Sequence, residues 1–148
     1  MDESGFAKDS PRTHGYSQRG QRCYGQQDWH AKDRVNAVGA IAGFMFLSVG
    51  LFNAHINSDI FYGWLTQELL PKVPPNAVIV MDNAAFHKRA DIQNAIRERD
   101  IILEYLPPYS PDLNPIEHKW AQIKSIRKQY RCDNLDSLFS EYVKYDIL

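Results

Sequence analysis

The chain has 148 residues, of which 44% are hydrophobic and 24% charged, a makeup that excludes a disordered or fibrous protein and suits one globular domain with a real core. Its formal net charge of -1 excludes a global attraction to nucleic acid, so any polyanionic partner must be met by a local patch. Its two cysteines, Cys23 and Cys132, are far apart without metal-type spacing and nothing resembles a secretory signal, so reduced thiols in a cytoplasmic setting are expected, with neither a disulfide nor zinc.

The opening "MDESGF" places Asp2 directly after the first methionine, and a polar, glycine-rich stretch to about residue 33 reads as loop. The uncharged run "AVGAIAGFMFLSVGLF", 37–52, is too short to span a membrane, because as a helix it would rise about 24 Å against a hydrocarbon core of about 30 Å. Its glycines Gly39, Gly43 and Gly50 suit a sheet better, giving strands near 35–42 and 44–50 joined near Gly43. In "NSDIFYGWLTQELLPKV", Asn57 or Ser58 caps a helix with Phe61, Trp64, Leu65 and Leu69 on one face, ended by Pro74 and Pro75.

"VIVMDNAAFH", 78–87, reads as a buried strand of four apolar residues that emerges at the polar pair Asp82 and Asn83. An acid beyond the carboxyl end of a strand in an open α/β sheet stands where ligands bind; the pair is equally what opens an ordinary turn. A helix follows from about His87 to Asp100, and "IILEYL" forms another strand. Alternation of helix and strand implies parallel pairing.

Next comes "PPYSPDLNP", 107–115, a stiff loop with four prolines in nine positions. Tyr109 within it is read as packing the loop rather than stacking on a base. Asn114 is the expected N-cap of the following helix, with Pro115 at the first helical position and Glu117 at the third. On a helical wheel Ile116, Trp120, Ile123, Ile126 and Tyr130 form the core stripe, and Glu117, Lys124, Lys128 and Arg131 line one flank. Two readings stand side by side. Glu117 closes a capping box and the cations form a solvated face, or Glu117 holds a divalent metal and the cations meet phosphates.

"VIVMDNAAFH" and "LEYLPPYSPDLNPIEHKW" together resemble the catalytic core of DDE transposases, specifically the bacterial insertion-sequence branch of the Tc/mariner superfamily. "DESGF" resembles that family's first acidic motif, and the 34 residues 83–116 between Asp82 and Glu117 match the branch's spacing. The resemblance covers almost the whole chain.

It implies a ribonuclease H-like α/β fold with a five-stranded mixed sheet flanked by helices. It also implies two Mg2+ ions, for which Mn2+ can substitute, bound by Asp2, Asp82 and Glu117. Asn83 and His87 match the same motif, with either supporting or substrate contacts or simple capping duties. The implied activity is metal-dependent cleavage and strand transfer of double-stranded DNA at element ends and target sites, and Lys124, Lys128 and Arg131 are the candidate phosphate contacts.

The whole chain, 1–148, is then the catalytic domain, in a cytoplasmic, nucleoid-associated setting with no membrane partner. The family's preceding helix-turn-helix modules are not found, and Asp2 stands so early that its strand is expected to be truncated. Expected protein partners are a second copy or the product of an upstream reading frame. The rival readings are a non-catalytic fragment that dimerises or associates with DNA, and a general nuclease of the same fold.

Overall fold

A computed structural model describes residues 1–7, 19 and 34–142 of the chain. The expectations for the segment 8–33, residue 19 apart, and for Cys23 lie outside the described residues.

Strands β1 (Asp2–Ala7), β2 (Arg34–Ala42) and β3 (Met45–Phe52) form an antiparallel meander, with Asp2 opposite Gly39 and Ala7 opposite Arg34. The β2–β3 turn falls at Gly43, whose φ of 62° lies in the left-handed region open to glycine at no steric cost. Helix α1 (Ser58–Trp64) is capped by Asn57, whose Oδ1 accepts the amides of Asp59 and Ile60 at 3.0 and 2.9 Å. It continues as a π turn (Leu65–Leu69) and a 3-10 turn (Leu70–Lys72), and all four residues of its expected apolar face are buried.

β4 (Val78–Met81) and β5 (Ile102–Tyr105) pair in parallel, as their helical connection requires. That connection is shorter than the helix expected from His87 to Asp100. His87 lies in a 3-10 turn (Ala85–Lys88), and α2 covers only Ala90–Arg97. The break is Arg89, extended at ψ 137°, whose guanidinium is held by Asp59 and Asp91 at 2.6 and 2.7 Å. β4 is also less buried than a continuous apolar run suggests. Ile79 and Met81 enter the core, whereas Val78, Val80 and the neighbouring Ile102 are exposed, because the helices that follow β5 in the chain pack on the β1–β3 meander.

Helix α3 (Ile116–Tyr130) follows a 3-10 turn at Pro111–Leu113, and α4 (Leu135–Tyr142), unforeseen from the sequence, completes the fold. Successive β2 residues feed opposite layers, as pleating demands. Val38 and Ala40 pack with Phe61, Trp64 and Ile92 of α1 and α2; Ala37 packs with Trp120 and Ile123 of α3 and Leu138 and Phe139 of α4. Gly39 allows the close approach of Trp120, since a Cβ there would lie 2.7 Å from the indole Cη2.

On α3 the expected stripe holds for Ile116, Trp120 and Ile123, then departs. Ile126 is half-buried and Tyr130 is 54% exposed; the residue that turns inward is Arg127. Its guanidinium donates to the Ala7 and Cys132 carbonyls at 2.6 and 3.1 Å, bonds that make its burial tolerable.

The five expected strands are thus present in a mixed arrangement flanked by helices. They hydrogen-bond as β1–β2–β3 and β4–β5, and the seam between the groups is bridged by the Met1 amino group, which donates to the Val80 carbonyl at 2.6 Å. No helix among the described residues is long and apolar enough to cross a membrane.

Candidate active site

A cleft of about 360 Å³ opens at the end of that seam, lined by Asp2, Asp82, Asn83 and Glu117 and roofed by the loop from Pro107 to Pro111. Three elements therefore bring the three expected acids to one place: the start of β1, the residue after β4, and the first turn of α3.

Asp2 is buried. Its Oδ1 accepts the Glu3 amide at 2.8 Å and its Oδ2 accepts the Asn114 side-chain amide at 3.3 Å. Burial pushes its carboxyl up to about 7; the Glu3 amide opposes this and the neighbouring Glu117 carboxylate adds to it. Glu117 is exposed, and its capping reading is not realised. The Asn114 amide that a capping box would satisfy donates instead to Pro111 O at 3.0 Å, and α3 has no side-chain cap. Asn114 itself is extended and gives its side chain to Asp2, which corrects its expected role as N-cap. The helix entrance spends both of its polar side chains on the cleft.

Asp82 is partly exposed. Its Oδ1 accepts the Ala84 amide at 3.2 Å and lies 2.6 Å from His87 Nδ1, an ion-pair contact whose N–H is not aligned for a hydrogen bond. The His87 contact holds the Asp82 carboxyl below the usual range, against partial burial. His87 is fully buried behind the cleft, with Nε2 2.8 Å from Glu3 Oε1. Burial pulls its imidazole down, but Asp82 and then Glu3 overcome this and raise it to about 9, so it is a cation at neutral pH. Asn83 lines the cleft; His87 supports it from beneath.

Tyr109 does not pack the loop. Its ring is wholly exposed at the cleft's edge and its φ is 56°, a left-handed conformation rare for a bulky residue. Of the basic flank, Lys124 and Lys128 are exposed on α3, with Lys124 Nζ 5.5 Å from the centre of the Phe6 ring. Arg131 is exposed but lies past the helix, at φ 51° and ψ 43°, where it ends α3. Glu3 and Asn114 were missed as contributors. The adjacency of Glu3 to Asp2 inside "DESGF" was the available signal for Glu3, since successive strand residues serve opposite faces.

The donor set suits a hard divalent cation in kind and charge: three carboxylates from separate elements, with burial and the proximity of Glu117 raising the proton affinity of Asp2. Among the described residues no three His, Cys, Asp or Glu side chains close into a coordination cluster, so the carboxylates form an open set.

Fold and site together define an α/β protein with a carboxylate-lined cleft where its antiparallel and parallel strands meet. The chain belongs to the DDE superfamily endonuclease family, whose model matches residues 1–139. It is 29% identical over 93 residues to the Tcb1 transposable-element transposase of Caenorhabditis briggsae, covering 63% of this chain and 34% of that protein. To the Tc1 transposable-element transposase of Caenorhabditis elegans it is 30% identical over 83 residues, covering 56% of this chain and 30% of that protein. The chain spans about a third of the length of these curated relatives.

Among solved structures it is similar to the Mos1 transposase paired-end complex with the left transposon end, with a TM-score of 0.71 at 17% identity over 94% of this chain and 44% of that one. It is also similar to the Mos1 mariner paired-end complex with Mn, with a TM-score of 0.69 at 18% identity over the same shares. The fold is accordingly ribonuclease H-like.

Proposed function

We propose that residues 1–148 form a transposase catalytic domain that cuts DNA at the ends of an insertion sequence and transfers the freed strands to target DNA. The observation that carries this reading is the meeting of Asp2, Asp82 and Glu117 in one cleft of a chain that belongs to the DDE endonucleases. These three residues would hold two Mg2+ ions, or Mn2+ in their place; a Mos1 complex of similar fold contains Mn. When bound, such cations supply a nucleophilic oxygen at neutral pH and neutralise charge on the departing 3′ oxygen.

The chain's own residues supply placement. Asn114 and the Glu3 amide orient Asp2, while His87 and the Ala84 amide engage one oxygen of Asp82 and leave Oδ2 for the cleft. In the first reaction a water oxygen bonds to phosphorus, the P–O3′ bond breaks, and the 3′ oxygen leaves with a proton. In the second, that 3′-hydroxyl attacks a target phosphodiester, whose P–O3′ bond breaks in turn. Lys124, Lys128 and Arg131 meet DNA phosphates, and the working assembly is a homodimer or a pairing with an upstream reading-frame product, in a cytoplasmic, nucleoid-associated setting.

Purified Asp82→Asn and Glu117→Gln variants are expected to lose Mg2+-dependent nicking and joining of inverted-repeat ends while keeping the wild-type circular dichroism spectrum. Persistent activity in either refutes the assignment, and equal cleavage of random duplex by the wild type points to a general nuclease. A second reading, a regulatory fragment that associates with DNA or with intact transposase without cutting, is favoured by the open spacing of the carboxylates. Wild-type binding of inverted-repeat DNA with no nicking would select it.

A further inference from the structure

Asp2 and Glu3 are adjacent on β1, so their side chains leave the strand on opposite faces. Asp2 enters the cleft. Glu3 turns to His87, whose two ring nitrogens lie 2.8 Å from Glu3 Oε1 and 2.6 Å from Asp82 Oδ1. The ring is thus hydrogen-bonded to Glu3 through Nε2, while Nδ1 meets Asp82 Oδ1 as an ion-pair contact. The ring has no route to water: it is fully buried, with the Phe61 and Phe86 ring centres 4.5 and 4.2 Å away. This side-chain chain crosses the seam between β1 and β4, where the described residues form no strand ladder and the Met1 amino group bonds Val80 O.

We propose that Glu3 is a positioning residue: acting through His87, it fixes the orientation of the Asp82 carboxylate and ties the strand that carries Asp2 to the loop that carries Asp82. The inference rests on the reading of the cleft as a metal-dependent active site. Without an acceptor at position 3, Nε2 is left buried and unpaired, the ring reorients or changes tautomer, and Asp82 Oδ1 loses its restraint. Ligand-supporting contacts of this kind carry roughly tenfold to a hundredfold in metal affinity.

The test uses the full chain and two readouts that need no turnover: Mn2+ affinity by titration calorimetry, and the backbone amide resonance of Ala84 in the metal-free protein, which reports the Asp82 Oδ1 it donates to. Glu3→Ala is expected to move the Ala84 resonance and weaken Mn2+ binding roughly tenfold. Glu3→Gln is expected to restore both, because its amide can accept from or donate to Nε2 and so hold the ring with Nδ1 against Asp82 Oδ1. Should Glu3→Ala fail to fold, Glu3→Thr keeps strand propensity without reaching His87 and is read the same way.

An unmoved Ala84 resonance with wild-type Mn2+ affinity overturns the proposal, as does a Glu3→Gln variant as impaired as Glu3→Ala. A wild-type chain that takes up no Mn2+ while Glu3→Ala still moves the Ala84 resonance supports the positioning role and sinks the metal-dependent reading instead.

Discussion

Asp2→Asn is expected to stabilise the metal-free protein while removing a proposed metal ligand. In the fold the Asp2 carboxyl is pushed from 3.8 up to about 7, first by burial, against the Glu3 amide and with Glu117 adding to it. A rise of roughly three units is about 4 kcal/mol at full weight, and solvent in the open cleft reduces what is realised to about 2 kcal/mol. For a chain of this size that is about 4–8 °C in Tm. The folded state keeps a proton that the unfolded chain gives up, so this contribution to stability is fully present below pH 3.8 and is lost as pH rises through about 7. Asn does not ionise. Its Oδ1 can still accept the Glu3 amide, and Asn114 can turn its own oxygen to the new amide. Melting curves followed by circular dichroism in EDTA should therefore show the variant and wild type together near pH 4 and the variant ahead above pH 7. Excess Mg2+ should narrow the gap at pH 8, since the cation favours the wild-type carboxylate. A gap independent of pH, or a wild type more stable than the variant at pH 8 without metal, refutes the reasoning.

Gly39→Ala places a methyl 2.7 Å from Trp120 Cη2 and about 3.0 Å from Phe46 Cε1, an overpacking expected to cost about 1–3 kcal/mol as a lower denaturant midpoint; an unchanged midpoint would show that the indole gives way freely. Neutralising Lys124, Lys128 and Arg131 together is expected to weaken DNA binding and flatten its salt dependence by up to about 0.9 log units per lost phosphate contact. Unchanged affinity and slope would mean that the flank is only a solvated face.

What was legible in the sequence had local causes. The β2–β3 pair follows from an uncharged run interrupted at Gly43, the α1 face from its helical spacing, and the three cleft acids from the motifs in which they sit. The residues that were misread answer to distant partners. Asn114 precedes a proline and a glutamate as an N-cap would, yet its side chain serves Asp2, 112 positions away, because a buried carboxylate needs a donor more than an exposed helix start does. Arg127, outside the expected core stripe, turns inward and bonds Ala7, 120 positions away, while Tyr130 of that stripe stays exposed. Glu3 reaches His87 across 84 positions. Local chemistry describes each of these residues correctly as an amide, a cation or an acid. The groups those side chains satisfy are decided by which backbone and carboxylate atoms the fold has already taken from water, and helix and strand patterns hold no information about that. The three cleft acids are therefore readable from motif and spacing, while the side chains that contact them become visible once the strands that carry them are placed side by side.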